Sequence, residues 1–303
     1  MTKKIIVLTL TLMLFVVAQG QQVESKKCKT CGKPLKECPY KGRHPQNDVS
    51  QQTSGNKPNK PVAKPKVRMD GNDLVFTCDG AEYRYKMVYV SGGTFTMGCT
   101  SEQGSDCYDL EKPAHSVTVS GFYMGQTEVT QALWKAVMGN NPSYWKGNTL
   151  PLENVSYNDV KEFIGKLNNL TGETFRMPTE AEWEYAARGG NSSRGYKYSG
   201  SNDIGSVVWY DGNSGSKTHP VAQKQANELG LYDMAGNVWE WCNDWYGSYS
   251  SDSQNNPKGP SSGSYRVLRG GCWDGRARYC RVSYRGYSVP SVRDSGIGFR
   301  LAR

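Results

Sequence analysis

Apolar side chains reach this chain as single aromatics set between glycines and small polar residues, as in GLYDMAGNVWEWCNDWYGSY over 230–249. A core assembled from such anchors needs many turns and little regular backbone. Each ring buries a large area, while glycine permits the sharp reversals between rings. The whole sequence shares this character, with 34 glycines, 19 tyrosines and 8 tryptophans among 303 residues. It argues against a helical bundle, which requires long apolar stripes at helical spacing.

Three helices are marked by their ends. Thr130 precedes QALWKAVM, which stops at Gly139, and Ser156 with Asp159 opens a second run that stops at Gly172. Thr179 and Glu182 form a capping box before a short helix to Arg188, halted by Gly189-Gly190. Half-buried strand alternation occupies MVYV (87–90), GTFTMG (93–98) and HSVTVSGFYMG (115–125). Beyond Gly190 the pattern predicts loops pinned by Trp and Tyr. The expected fold is α+β, one compact domain of low regular secondary structure over residues 67–303.

The first 66 residues read differently. Lys3-Lys4, the apolar run Ile5–Ala18 and Ala18-Gln19-Gly20 make a signal peptide over 1–20, whose apolar stretch is too short to span a bilayer comfortably. The protein is therefore expected to be secreted, or periplasmic and in the cell envelope, and not membrane-spanning. Residues 24–45 bring Cys28, Cys31, Cys38 and His44 together, a set that suits tetrahedral zinc and could order a segment too short for its own core. One disulfide plus a free thiol is the alternative in an oxidising compartment. Residues 46–66, rich in Pro and Lys, form a semi-extended linker. Residues 1–66 carry thirteen Lys/Arg against three Asp/Glu, a net +10, so the remaining 237 residues sum to −1. The folded domain has no net basic charge to grip nucleic acid, and nucleic acid is excluded as a partner.

The order of motifs from Met87 to Ala302 resembles the sulfatase-modifying-factor family. It runs MVYVSGGTFTMG, EKPAHSVTV, TEVTQALW, PLENVSYNDVKEF, RMPTEAEWEYAARGG, GLYDMAGNVWEWCNDWY, RVLRGGCW and GFRLA. The resemblance implies a formylglycine-generating-enzyme domain, related in architecture to C-type-lectin-like folds. In that family two cysteines five positions apart hold copper(I), and a substrate cysteine is oxidised to formylglycine with O2. Soft thiolates suit copper(I), and O2 chemistry needs a metal with open coordination. The second catalytic position falls on Cys280 and the first on Gly275, which has no side chain. Cys272 stands where the enzymes carry a serine near the reaction centre, so Cys272 and Cys280 are the candidate catalytic residues. The pair could hold a metal, form a disulfide or remain two buried thiols. A Cys242–Cys280 bridge is a further possibility, and Cys99 with Cys107 could close the polar loop between them.

The resemblance also implies calcium on Asp233, Gly236, Val238 and Glu240. There a curled loop offers carboxylates at both ends and backbone carbonyls between. His115 and His219, the histidines of the domain, lack a partner constellation and read as structural.

A second class of function is legible in the last thirty residues. Residues 274–303 contain no Lys, Glu, Gln, Met or Trp. A frame of Cys280-Arg281, Arg285, Pro290, Arg293 and Ile297–Arg300 alternates there with Asp, Gly, Arg, Tyr, Ser and Val. These interspersed types are reachable from asparagine codons by changing adenines. The pattern resembles hypervariable ligand-binding proteins diversified by retroelements, with 274–296 as the variable segment. Tyr and Arg on a rigid scaffold supply contact area at low entropic cost. The chain is expected to be a binding or scaffolding module for a protein or glycan ligand, with formylglycine generation as the alternative.

Overall fold

The computed structural model describes residues 66–303, which lie in one compact unit, Val62–Arg303. The expected signal peptide (1–20), the cluster Cys28, Cys31, Cys38 and His44, and the linker up to Pro65 fall outside the described residues.

The domain opens with a meander of β1 (Val67–Asp70), β2 (Asp73–Cys78) and β3 (Ala81–Tyr85), paired antiparallel in that order. Both turns carry Asp-Gly, and Asp79 and Gly80 have φ of 50° and 83°, the backbone a two-residue hairpin requires. Strand β4 (Met87–Val90) pairs with β7 (Phe122–Gly125), while β5 (Gly93–Met97) pairs with β6 (His115–Val119). The expected strand over 115–125 is therefore two strands in two sheets, parted at Ser120-Gly121. A Cβ on Gly121 would lie 2.4 Å from the Tyr89 hydroxyl, so a side chain there would collide with its neighbour.

The three capped helices form as expected: α1 (Gln131–Met138), α2 (Tyr157–Thr171) and α3 (Glu180–Ala187). Thr130 accepts from the Leu133 amide, and full capping boxes close on Ser156/Asp159 and Thr179/Glu182. A one-turn α4 (Ile204–Val207) follows. Helices α1 and α2 bury Leu133, Trp134, Val160, Phe163 and Leu167 against the meander and Phe299. Trp134 stacks on Phe163 at 5.1 Å, and both meet Phe299 edge-on.

Beyond Gly190 regular structure is richer than the sequence predicts. Strand β8 (Trp239–Trp245) is central in a four-stranded sheet ordered β11 (Gly286–Ser288), β10 (Arg266–Arg269), β8, β12 (Ile297–Gly298). A two-residue β9 (Gln254–Asn255) extends β6 in parallel. Both faces of β8 are covered, with Glu240, Trp241, Cys242 and Asp244 buried on alternate sides. That removes the polar-out, apolar-in alternation by which a strand is normally read. Among the described residues no helix is long and apolar enough to cross a membrane.

Candidate functional site

The chain leaves β10 through Gly270 and Gly271, whose φ of 98° and 80° suit glycine and turn it towards the α3 side of the sheet. A Cβ on Gly271 would lie 2.6 Å from the Cys280 sulfur, so the missing side chain lets that thiol pack on the backbone. Cys280 sits among Tyr198, Val207, Val208 and Ala235, and burial pushes its thiol up to about 12. Cys272 lines a cleft. Its sulfur donates to Asp274 Oδ1 at 2.9 Å, and burial, then Asp274, raise its pKa well above the usual thiol range.

Both thiols are free, so the structure forms no Cys272–Cys280 disulfide. Cys242 is free as well, which corrects the Cys242–Cys280 bridge. Cys242 belongs to the cluster around Trp183 and Val267, a different body of the core from that holding Cys280. Cys99 and Cys107 are disulfide-bonded, as their spacing suggested. These residues do not fit the family's copper pair. A Cβ on Gly275 would lie 3.5 Å from the Cys272 sulfur, yet no thiol projects there, and the two thiols present are held in their protonated forms.

Arg285 lines the same cleft as Cys272, and it is one of four arginines buried against glutamates. Arg281 meets Glu111 at 2.6 and 2.8 Å, Arg285 meets Glu180 at 2.6 and 2.8 Å, and Arg300 meets Glu240 at 2.6 and 2.7 Å. Arg269 pairs with Glu184 in the same fashion. All eight side chains are nearly excluded from solvent. A buried charge without a partner is expensive, so each pair fixes its arginine in one place. Three of these arginines belong to the frame read from the sequence. The residues between them face outward: Asp274, Arg276, Arg278, Tyr287, Val289, Ser291 and Asp294 are exposed. Val282 and Ser283 depart from this rule, Val282 in the core and Ser283 against Glu111, and the frame's Arg293 is itself exposed, held by Asp159 at 2.7 Å.

Of the outward residues, Asp274, Tyr287 and Asp294 line this cleft of about 590 Å³, together with Trp239, Cys272 and Tyr284. Tyr284 contacts Tyr279 at 4.9 Å and Tyr108 at 5.6 Å between ring centroids, and Tyr287 contacts Tyr246 at 4.3 Å. The result is a wall of rings with two solvent-facing carboxylates. Asp294 lies in the segment 274–296 read as variable, whereas Tyr108 was not read as a site residue and the spacing of the motifs gives no signal for it.

The calcium candidates lie on one curled segment, with φ of 54° at Asp233, 79° at Gly236 and 59° at Asn237. Asp233 accepts from the Ala222 amide at 2.7 Å, and burial pushes its carboxyl up to about 6. Glu240 accepts Arg300 on both oxygens and the Trp183 indole on one. Glu128, which the sequence did not flag, accepts from Val238 N and Asn237 Nδ2. Burial, then Asp233 and Glu240, push it well above the carboxylate range. Three buried carboxyls thus share the field of one guanidinium. Carboxylate and carbonyl oxygens are the donors a hard cation takes, but both Glu240 oxygens are engaged by Arg300 and Trp183, so a cation at Asp233 and Glu240 would have to share them and draw on the carbonyls of Gly236 and Val238. Among the described residues no group of three or more His, Cys, Asp or Glu side chains is arranged to hold a metal, so carbonyls would be needed there.

Both candidate histidines are engaged locally. The His115 ring N–H donates to the Pro113 carbonyl at 3.1 Å, and His219 bonds the Ser214 carbonyl at 2.6 Å while stacking on Trp209.

Residues 78–303 match the model of the sulfatase-modifying factor enzyme 1-like domain. The chain is 34% identical to the chaperone protein LppX of Paenibacillus barcinonensis, over 72% of this chain and 89% of that one. It is 31% identical to the formylglycine-generating enzyme of Mus musculus, over 72% of this chain and 74% of the enzyme. Among solved structures, Treponema denticola variable protein 1 superposes with a TM-score of 0.67 at 37% identity, covering 76% of this chain and 98% of its own. With its domain, its motifs and its buried frame accounted for in this way, the chain belongs to the sulfatase-modifying factor enzyme 1-like family.

Proposed function

We propose that the domain is a binding module that presents the side chains of 274–296 on a fixed frame, and not a formylglycine-generating oxidase. The observation that carries this reading is the partition of that segment. Arg281 and Arg285 of its frame are buried and paired, while Asp274, Arg276, Arg278, Tyr287, Val289, Ser291 and Asp294 are open to solvent. Such a surface can change its side chains without changing its fold, and Tyr with Arg gives large contact area at low entropic cost. Likeness to a protein named for its variability supports the same reading. Gly275 argues against the oxidase, because a copper(I) dithiolate needs a thiol at that position.

One incubation tests this proposal. The protein is supplied with copper(I), O2 and a cysteine peptide of the sulfatase type, and the peptide is weighed by mass spectrometry. An unchanged cysteine is expected, and efficient conversion to formylglycine overturns the binding reading. A genomic observation bears on the variable segment: a neighbouring reverse transcriptase and a near-copy of this stretch with AAC or AAT codons would support it. We place the module outside the cytoplasm, in keeping with the expected leader and with the Cys99–Cys107 disulfide, a bond that persists in oxidising compartments. A calcium ion at Asp233, Gly236, Val238 and Glu240 would serve structure in this reading. The crowding of Glu128, Asp233 and Glu240 around Arg300 favours it.

A further inference from the structure

Arg285 also lines a second cavity, of about 490 Å³, bounded by the start of α3, the end of β8 and the 247–260 loop. Four polar side chains in its wall are at least nine-tenths buried: His115, Glu180, Asp244 and Arg285. Glu180 is satisfied by Arg285 and by the Tyr249 hydroxyl at 3.2 Å. His115 is held by the Pro113 carbonyl and packs on Tyr249, with centroids 4.7 Å apart. Asp244 is different. Its Oδ2 accepts the Glu180 amide at 3.1 Å, but Oδ1 accepts no hydrogen bond among the described residues.

We propose that this cavity binds a small organic cation, an ammonium group on a short apolar body, with Asp244 as its counter-charge. The argument goes beyond the aromatic cleft and does not depend on it. Asp244 as a residue is nine-tenths buried, and its one oxygen without a protein donor can take a donor from outside, which a charged N–H supplies best. Glu180 cannot compete for the cation, since Arg285 already neutralises it. Met97, Ala181 and Pro260 supply apolar wall for the body of the ligand.

The charged and titratable groups around Asp244 are Glu180 and Glu182 on α3, Arg266 on β10, Arg285, Tyr157 on α2, Cys242 on its own strand and, in the cavity wall, His115 on β6, Tyr249 and the exposed Lys258. Burial, then Glu180, push its carboxyl up to about 8. A bound ammonium would displace that proton, so binding should release protons and strengthen as pH rises towards this value.

The test is calorimetric titration of the full chain near neutral pH with phenethylammonium, and with 2-phenylethanol as its uncharged counterpart, in buffers of different ionisation heat. Saturable amine binding with proton release is expected, with the alcohol weaker by about tenfold or more. Asp244→Asn, which keeps an acceptor for the Glu180 amide, should abolish the proton release and weaken amine binding by about tenfold. Ser248→Trp, an exposed change at the mouth, should block binding with Asp244 intact, and carries the decision where Asp244→Asn fails to fold. No saturable amine binding by the native chain, equal affinity for amine and alcohol, or full affinity in Ser248→Trp would each overturn the proposal.

Discussion

Arg285 grips both oxygens of Glu180 at 2.6 and 2.8 Å, and the same guanidinium stands in the walls of two separate cavities. The pair joins the first turn of α3 to the middle of the outward-facing segment, 105 residues away in sequence. It explains why that segment can be irregular and still rigid.

Removing one member of the pair should be costly. Arg285→Ala leaves Glu180 charged in a buried site, and a loss of about 3–5 kcal/mol is expected on denaturant unfolding. Tyr287→Ser, half exposed on the rim, should stay within about 0.5–1 kcal/mol of the native chain. Similar losses at both positions would show that the frame and the outward residues are not distinct.

Above the ordinary carboxyl range of about 4 and up to about pH 8, the stability of the domain should fall as pH rises. Asp233, Glu153 and Asp244 are pushed up to about 6, 7 and 8, in each case chiefly by burial. A carboxyl whose folded pKa lies above its unfolded value contributes stability that is whole below the unfolded pKa and is lost as pH climbs through the folded one. Each such group adds a slope of up to about 1.4 kcal/mol per pH unit while it titrates. Asp244→Asn should flatten the upper part of this profile, between about pH 6 and pH 8. A chain whose stability rises across this window refutes the assignment.

Calcium offers a separate check. Added to chelator-treated protein, it should raise the melting temperature, with about 2.7 kcal/mol of stabilisation at a hundredfold excess over Kd. The gain should be smaller at acid pH, where Asp233 holds a proton, and should vanish in Asp233→Ala. Identical melting curves with and without calcium would remove the site.

The cysteines give a chemical readout. Cys78, Cys242, Cys272 and Cys280 are buried and free, so the native domain should resist alkylation at mildly alkaline pH. All four should react at once on unfolding without reductant, while Cys99 and Cys107 remain protected. Fast native labelling of Cys280 would contradict its burial.

How far the sequence could be read depended on how local each signal was. The helices were legible because Thr130, Ser156 and Thr179 act within one turn of themselves. The meander carried Asp70-Gly71 and Asp79-Gly80, hairpin signals a closer reading would have used. Strand β8 was hidden, since Glu240 and Asp244 look solvent-facing until their buried environments are known. The same holds for the site. Gly275 and the alternation of 274–296 stand in the text of the sequence, whereas the pairing of Arg281 with Glu111 spans 170 residues and leaves no local trace.

Arg281, Arg285 and Arg300 reach back to acids laid down much earlier, so the rest of the domain depends on their being made. A polypeptide lacking its last few residues would keep Glu240 buried without Arg300 and expose the edge of β8 that β12 covers. Its failure would be global, and a cell's proteases would meet an unfolded chain in place of a folded one with a damaged face. Changes at the exposed positions Arg276, Arg278, Tyr287, Val289 and Ser291 carry no such penalty. Side chains on the exposed positions can thus vary singly, while loss of Arg300 removes the whole fold.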